Sequence, residues 1–205
     1  MKFYLSSYKL GKENEKLKRL IPKNNKTAYI SNALDFSTDL KRRREREKED
    51  IEDLKSVGLN VELFDLRKYF GKKKDLENKI KKFGVIWVRG GNTFVLRQAM
   101  KLSGFDVILK KLTKVDNILY GGYSAGICVL SPNLKGLELV DDPTQKPYKN
   151  QKVIWEGLGL VDYLIVPHYK SDHPESADMD KVVRYCTKNK ILFKTLRDGE
   201  VIIID

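Results

Sequence analysis

The stretch ILYGGYSAGICVL, residues 118–130, begins with an apolar run typical of a buried strand and continues with the pattern of a helix. Between the two parts stands Gly-Tyr-Ser-Ala-Gly, residues 122–126, with one hydroxyl in the middle of the turn. A Gly-x-Ser-x-Gly turn between a strand and a helix is typical of a nucleophile elbow, in which a strained serine exposes its Oγ. A simpler hypothesis also fits: the glycines allow close packing of helix on strand, and Ser124 only caps the helix.

Strand and helix signals alternate through the first two thirds of the chain. This alternation predicts a mainly parallel sheet with helices on both faces. Because 205 residues fit one domain and no linker or repeat is visible, we expect a single three-layer α/β domain over residues 1–205. The predicted strands are 2–8, 27–33, 60–66, 84–91 and 117–123, and the predicted helices are 37–57, 73–83 and 92–102.

The last third of the chain carries weaker signals. DYLIVPHY, residues 162–169, is the clearest strand, and Pro174 suits the first turn of a helix that reaches about Asn189. Residues 191–205 read as a strand, an Asp-Gly turn and another strand. They therefore predict a small C-terminal hairpin.

Composition and charge exclude several classes of protein. The formal net charge is +12, but the densest basic run, LKRRREREKED at 40–50, alternates with acids at helical spacing, which favours a solvated helix face. No nucleic-acid motif, no apolar run of membrane-spanning length and no signal-peptide pattern is visible. We therefore expect a cytoplasmic protein that binds neither nucleic acid nor membrane. Cys128 and Cys186 are expected to be buried, reduced thiols.

Two histidines and several aspartates could assist a nucleophilic serine. His168 directly follows an apolar strand, whereas His173 lies in the polar run KSDHPES, so His168 is the better candidate for a general base. For the acid, Asp198 follows another predicted strand, and Asp141 and Asp142 are rivals. The residues alone do not choose among the three. With two histidines and no metal-ligand spacing, no metal site is predicted.

A second glycine-rich turn, RGGNTF at 89–94, follows the apolar strand before it. The backbone N–H groups of Gly90 and Gly91 can closely approach a ligand, and the N–H of Ala125 at a helix start can face an oxyanion. A simpler hypothesis makes this segment only a glycine turn that leads into a helix capped by Asn92. The segment matches neither a Walker loop nor Gly-x-Gly-x-x-Gly, so no nucleotide cofactor is expected.

Taken together, these motifs resemble the peptidase E family, which comprises aspartyl dipeptidases and relatives such as cyanophycinases. The resemblance spans most of the chain and is strongest in VIWVRGGNTFVL, YGGYSAGICVL, LELVDDP and LIVPHY. The Gly-Gly-Asn-Thr-Phe block, the elbow and the later Pro-His are far more specific together than any one of them. The resemblance implies a fold similar to class I glutamine amidotransferases, with serine in place of the nucleophilic cysteine.

The resemblance also implies roles for individual residues. It makes Ser124 the nucleophile, His168 the general base and Asp198 the third member of the triad, with Asp142 as the alternative acid. The amides of Gly91 and Ala125 match the oxyanion hole. Substrate contacts are expected at Asn92, Tyr123 and Lys170.

One departure concerns substrate specificity. The segment after His168 has no arginine before Arg184, and Lys170 is its nearby cation, although a basic residue there is thought to hold the substrate aspartate in family dipeptidases. Asp-X specificity is therefore not carried over. The resemblance implies a serine peptidase that cleaves small peptides through an acyl-enzyme, without a cofactor, as a monomer or homodimer. The alternatives are an esterase or amidase with the same triad, and a non-catalytic amidotransferase-like binding protein.

Overall fold

The structure is a computed structural model and describes residues 1–149 and 152–205. A six-stranded sheet forms its centre, with strands in the order β3-β2-β4-β5-β1-β8, and a second sheet pairs β6 with β7. All neighbours in the large sheet are parallel except β8, which runs antiparallel to β1. The strands are β1 (Lys2–Ser6), β2 (Lys26–Ile30), β3 (Asn60–Leu63), β4 (Val85–Val88), β5 (Leu119–Tyr123), β6 (Leu164–Val166), β7 (Phe193–Thr195) and β8 (Val201–Ile204).

Helices cover both faces of the large sheet. They are α1 (Asn14–Leu20), α2 (Leu40–Ser56), α3 (Lys73–Ile80), α4 (Thr93–Ser103), α5 (Phe105–Leu112), α6 (Ala125–Cys128) and α7 (Ser176–Lys188). Within the described chain, none of these helices is long and apolar enough to cross a bilayer. The predicted fold class, a single mainly parallel α/β domain, is confirmed.

The alternation of side chains along each strand explains the two apolar layers. In β4, Val85 and Trp87 pack in the layer that contains residues of α1 and α2, whereas Ile86 and Val88 pack in the layer with α3, α4 and α5. All four side chains are buried, as expected for a central parallel strand with helices on both faces. The central strand therefore anchors the whole three-layer arrangement.

The second sheet is the part of the fold that the sequence did not predict. The strand before His168 does not pair with the strand that carries Ser124, because β6 pairs in parallel with β7. Both strands pack with α7 in a separate apolar cluster that contains Phe94 and Cys128. The C-terminal strand–turn–strand unit is present as predicted, and its strands pair with different neighbours, β7 with β6 and β8 with β1. Helices α1 and α5 were not predicted either.

The charged helix α2 lies close to its predicted position. Asp39 Oδ1 accepts a hydrogen bond from the Arg42 N–H at 2.9 Å and caps the helix start. The expected i,i+4 ion pairs form between Arg43 and Glu47 and between Lys48 and Glu52. One side of the helix nevertheless points inward, because Glu47 and Asp50 are buried. The basic run is therefore not a uniformly solvated face.

Strand β5 and helix α6 meet at a very close approach to β4. A Cβ on Gly122 would lie 2.4 Å from the Val88 carbonyl oxygen, and a Cβ on Gly126 would lie 2.1 Å from the same atom. Real Cβ atoms do not approach a backbone oxygen so closely, so both positions need glycine. The two glycines flanking Ser124 thus press the turn against a single carbonyl of the central strand.

We expect Gly126→Ala to destabilise the protein. Helix propensity alone would make this substitution stabilising by about 1 kcal/mol. The added methyl group would meet the Val88 carbonyl, and such overpacking costs about 1–3 kcal/mol. Urea unfolding followed by tryptophan fluorescence measures the difference, and an increase in the midpoint would contradict the close approach.

Candidate active site

Ser124 stands at the bend between β5 and α6 in a rare backbone conformation. Its φ is 50° and its ψ is −122°, a region that L-residues seldom occupy, at a cost of about 1–3 kcal/mol. The side chain makes no capping hydrogen bond to α6, so the simpler hypothesis of a capping serine fails. Strain of this kind is typical of a nucleophile elbow. The turn presents Oγ to a pocket instead of to the helix.

The pocket in front of Ser124 has a volume of about 800 Å³, in the range of sites for small ligands. Its walls come from the carboxyl ends of β1, β4 and β5, from α2 and from the segment that begins at His168. Parallel strands end at one edge of a sheet, and sites form at that edge in open α/β folds. Its lining includes Gly91, Ser124, His168, Glu175 and Asp198.

Two backbone N–H groups beside Ser124 are free to bind an anion. Within the described residues, the amides of Gly91 and Ala125 donate no hydrogen bond to another protein group. Gly91 has a φ of 143° and passes so close to Ala33 that a Cβ would lie 2.6 Å from its carbonyl oxygen. Gly90 is also constrained, since a Cβ added there would lie 2.8 Å from Ser124 Cβ. The glycine turn therefore brings backbone amides up to the serine.

His168 and Asp198 meet because β6 and β7 are parallel and end together. His168 follows β6 and Asp198 follows β7, and the Leu196 N–H donates to the Val166 carbonyl at 2.9 Å where the strands end. His168 Nδ1 lies 2.7 Å from Asp198 Oδ1. A carboxylate in this position accepts a hydrogen bond from Nδ1–H, so the proton stays on Nδ1 and Nε2 is the basic nitrogen of the imidazole.

A buried serine from the large sheet connects to this pair. Ser7 Oγ, just after β1, donates to Asp198 Oδ1 at 2.8 Å and accepts from the His168 N–H at 2.8 Å. Ser171 Oγ accepts from the Asp198 N–H at 2.8 Å. Ser7 was not among the predicted site residues, although its place at the carboxyl end of a predicted strand was a usable signal. These bonds fix the carboxylate between the two sheets.

Burial and neighbouring charge keep the imidazole of His168 neutral. Burial is the main cause that lowers its pKa to about 4, and a charge on His173 lowers it further, whereas Asp198 acts in the opposite direction. The His173 ring stacks on the His168 ring with centroids 3.7 Å apart and planes 8° apart. Tyr8 contacts both imidazoles edge-on. His173 was predicted to lie in a loop and to be a weaker candidate for the base than His168, and its stacking on His168 was not predicted.

The Nε2 edge of the imidazole forms no hydrogen bond with Ser124 among the described residues. Within the part of the chain that the structure describes, Ser124 Oγ makes no hydrogen bond, and His168 Nε2 has Glu175 Oε2 at 4.0 Å. Contacts of this kind are often long in the absence of substrate. Burial, followed by the charges of Asp141, Asp178 and Asp198, raises the pKa of Glu175 to about 7. Glu175 is a further residue that the sequence analysis missed.

The two rival aspartates lie elsewhere. Asp142 accepts hydrogen bonds from the Thr144 N–H at 2.8 Å and the Gln145 side chain at 3.1 Å, and it is exposed. Asp141 accepts from the Thr93 N–H at 2.9 Å, and burial raises its pKa to about 6. In the described chain, neither carboxylate contacts His168.

The three residues expected to contact substrate have different surroundings. Asn92 caps α4 by accepting from the Val95 N–H at 3.0 Å, and its amide donates to the Asp142 carbonyl at 2.9 Å. Tyr123 lines the pocket, but its hydroxyl points to a buried charge pair. Lys170 is exposed, stands over the Tyr169 ring and lies outside the pocket lining.

That buried charge pair forms one wall of the pocket. Asp50 Oδ2 accepts hydrogen bonds from the Tyr29 hydroxyl at 2.7 Å, the Tyr123 hydroxyl at 2.6 Å and Arg89 Nε at 2.9 Å. Asp50 is 4% exposed and Arg89 is 6% exposed, so each charge depends on the other for compensation. The pair ties α2 to the carboxyl ends of β2, β4 and β5.

His168, His173 and Asp198 bring three ligand-type atoms within 4.8 Å of one another. The two imidazole planes are nearly parallel and stacked, and imidazole lone pairs lie in the ring plane. A single ion cannot lie in both planes, so this arrangement suits stacking of the two imidazoles better than metal coordination. Among the described residues, Asp198 therefore bonds to His168, and His173 stacks on the His168 ring.

Comparisons with known proteins agree with these observations. The sequence model of peptidase family S51 matches residues 8–205. An uncharacterized peptidase of Listeria monocytogenes is 34% identical over 140 residues, which make up 67% of this chain and 64% of that protein. A peptidase E of Streptomyces coelicolor is 29% identical over 119 residues, 56% of this chain and 46% of that protein. The alignments thus span less than two thirds of these relatives' lengths.

Solved structures support the same fold. A crystal structure described as a peptidase E protein of Listeria monocytogenes EGD-e superposes with a TM-score of 0.76 at 26% identity, over 99% of this chain and 93% of that one. A peptidase from an acI-B1 actinobacterium superposes with a TM-score of 0.69 at 14% identity, over 99% and 82% of the chains. The resemblance inferred from the sequence motifs is therefore confirmed.

We expect His168 to titrate near pH 4, well below the ordinary value of 6.5, because its burial disfavours the imidazolium ion. Imidazole NMR signals recorded against pH give the midpoint, with tryptophan fluorescence as a check that the fold persists. In His173→Ala the midpoint should rise, since a charge that lowers the pKa has been removed. A wild-type midpoint at or above 6.5 would contradict the described environment.

Proposed function

Because the chain belongs to peptidase family S51, we propose that it is a serine peptidase that cleaves small peptides through Ser124, His168 and Asp198. The observation that carries this proposal is the 2.7 Å contact between His168 and Asp198, which lines the same pocket as the strained Ser124. The free amides of Gly91 and Ala125 beside the serine add an oxyanion site.

The first half of the reaction forms an acyl-enzyme. Ser124 Oγ attacks the carbonyl carbon of the peptide bond while His168 Nε2 takes the hydroxyl proton, and the carbonyl π electrons move onto the oxygen. The tetrahedral intermediate then collapses, the C–N bond breaks, and the leaving amine receives the proton from Nε2.

The second half of the reaction hydrolyses the acyl-enzyme. A water molecule, deprotonated by Nε2, attacks the ester, and the acid product leaves as Oγ regains its proton.

Asp198 and the two amides stabilise charge that develops during these steps. Asp198 holds the Nδ1 proton and stabilises the imidazolium that forms when Nε2 takes the serine proton. This matters at His168 because burial makes the charged ring unfavourable there. The amides of Gly91 and Ala125 would donate to the oxyanion. Loss of one such donor typically costs about 2.7–4 kcal/mol of transition-state stabilisation.

A non-catalytic binding protein is the second candidate function, and one observation favours it. Ser124 Oγ and His168 Nε2 form no hydrogen bond among the described residues. An esterase or amidase would share the whole arrangement and differ only in the bond that it cleaves. A substrate panel of dipeptides, longer peptides and esters separates these alternatives. Absence of any turnover, together with unreactive Ser124, would favour the binding protein.

We expect a fluorophosphonate probe to label the wild-type chain at Ser124 and to leave Ser124→Ala unlabelled. The reason is that the strained turn exposes Oγ beside a neutral base, which together make a reactive hydroxyl. Mass spectrometry of the labelled peptide identifies the site. Ser131→Ala is the control, because Ser131 is buried and does not line the pocket. Undiminished labelling of Ser124→Ala would show that another residue is the nucleophile.

We expect Asp198→Asn to reduce kcat/KM by about 10³–10⁴-fold, because the amide cannot hold the required tautomer of His168 or stabilise its charge. Asp142→Asn is the matched control, since its carboxylate is exposed and bonds only to its own turn. Peptide hydrolysis by both variants is compared with the wild type. A larger loss in Asp142→Asn than in Asp198→Asn would reverse the assignment of the acid.

A further inference from the structure

Two arginines on α2 face the pocket without a protein partner. Arg42 and Arg46 are one helical turn apart, so they lie on the same side of the helix, and both line the pocket that contains Ser124. Within residues 1–149 and 152–205, neither side chain forms an ion pair or hydrogen bond. Their neighbour Arg43 contrasts with them, because it is bound to Asp35 and Glu47.

The acidic residues on this side of the pocket are already paired. Glu49 lies 3.7 Å from the ammonium group of Lys9, and Asp50 is bound to Arg89. The charges of Arg42 and Arg46 are therefore not compensated within the described α2 wall. An anion that enters the pocket would meet two guanidinium groups there, and guanidinium groups bind carboxylates by charge-assisted, often bidentate, hydrogen bonds.

Arg89 provides a third guanidinium with spare donors. Its Nε bonds to Asp50 and Tyr123, but Nη1 is buried with no partner, and Nη2 has none among the described residues. A buried guanidinium nitrogen without an acceptor is uncommon in folded proteins. Because Arg89 lines the same pocket, an acceptor supplied by a ligand can bond to Nη2, the terminal nitrogen that is not sealed from solvent.

The position of Arg46 relates this wall to the chemistry. The positive charge of Arg46 acts on the imidazole of His173, which stacks directly on His168. In a serine peptidase the general base later protonates the leaving amine, so the leaving group lies on the side of the histidine. When the leaving group is a single amino acid, its carboxylate is only two bonds from that amine. Arg46, and Arg42 beside it on α2, are thus on the side of the pocket where such a carboxylate would lie.

Building on the proposed function, we infer that Arg42 and Arg46, supported by Arg89, bind the free C-terminal carboxylate of the leaving group. The site then favours peptides cleaved next to their C-terminal residue over peptides that continue or end in an amide. Acidic side chains elsewhere in the substrate are not what these arginines recognise. This role differs from that of a cation in the segment after His168, where Lys170 lies outside the pocket lining.

The test compares dipeptides that end in a free acid with the same dipeptides as C-terminal amides. The acyl residue is varied among neutral, acidic and basic side chains. We expect the wild type to prefer the free acids by about tenfold or more in kcat/KM, since only the free carboxylate can accept charge-assisted hydrogen bonds from the guanidinium groups. In R42A/R46A this preference should be lost, mainly through KM, because the arginines do not touch the reacting atoms.

Arg44→Ala is the matched control, because Arg44 lies on the same helix but lines a different surface depression. It should keep the wild-type preference, and thermal unfolding should show that all variants are folded. R42K/R46K, which keeps the charge without the planar fork, should retain part of the preference. A merely structural role of the arginines would lower activity on acids and amides alike and leave their ratio unchanged.

Binding of the same peptides to Ser124→Ala, measured by calorimetry, tests the inference without turnover. Tighter binding of acids than of amides, lost in R42A/R46A on the Ser124→Ala background, supports it. Equal use of acids and amides, or a preference that survives R42A/R46A, overturns it. The inference is also overturned if R42A/R46A keeps the preference for acids over amides but loses a preference for an acidic side chain in the acyl residue. A wild type that cleaves no peptide refutes the proposed function, while the binding arm still decides this inference.

Discussion

The close contact of the β5–α6 turn with one carbonyl of β4 is the constraint on which the site depends. Gly122 and Gly126 both press against the oxygen of Val88, and Ser124 between them has a φ of 50° and a ψ of −122°, outside the helical and extended regions. The strained backbone turns Oγ toward the pocket and directs the next amide to the same space. Because the strain is sustained by packing of the central strand, the local geometry at Ser124 is a property of the whole sheet.

A second constraint joins two sheets. Strands β6 and β7 end together, which places His168 and Asp198 side by side, but among the described residues this small sheet shares no strand pairing with the large one. Ser7 at the end of β1 bridges the gap by bonding to the carboxylate and to the His168 backbone. The proposed base and acid are thus held as a unit against the sheet that carries the serine, and the distance to Ser124 depends on how the two sheets pack.

The charged groups around the pocket differ in how far they are compensated. On α2, the buried Asp50 neutralises Arg89, and the outer arginines Arg42 and Arg46 have no ion-pair partner among the described residues. Glu175, near the proposed base, has a pKa raised to about 7 by burial and by other carboxylates. Burial and like charges therefore suppress the negative charge next to the imidazole, while positive charge on α2 remains available to an anion.

The sequence alone determined the elbow, the glycine turn, the α/β class and His168 as the proposed base, since each depends on local spacing and strand–helix alternation. Local patterns could not choose among Asp141, Asp142 and Asp198, because all three follow plausible strand or turn patterns, and Asp198 was favoured through the family resemblance alone. Only tertiary structure decided which carboxylate lies beside the imidazole, through the parallel pairing of β6 with β7. The stacked His173 and the pocket-facing arginines of α2 were likewise invisible, since residues distant in the chain meet only after the helices and sheets pack.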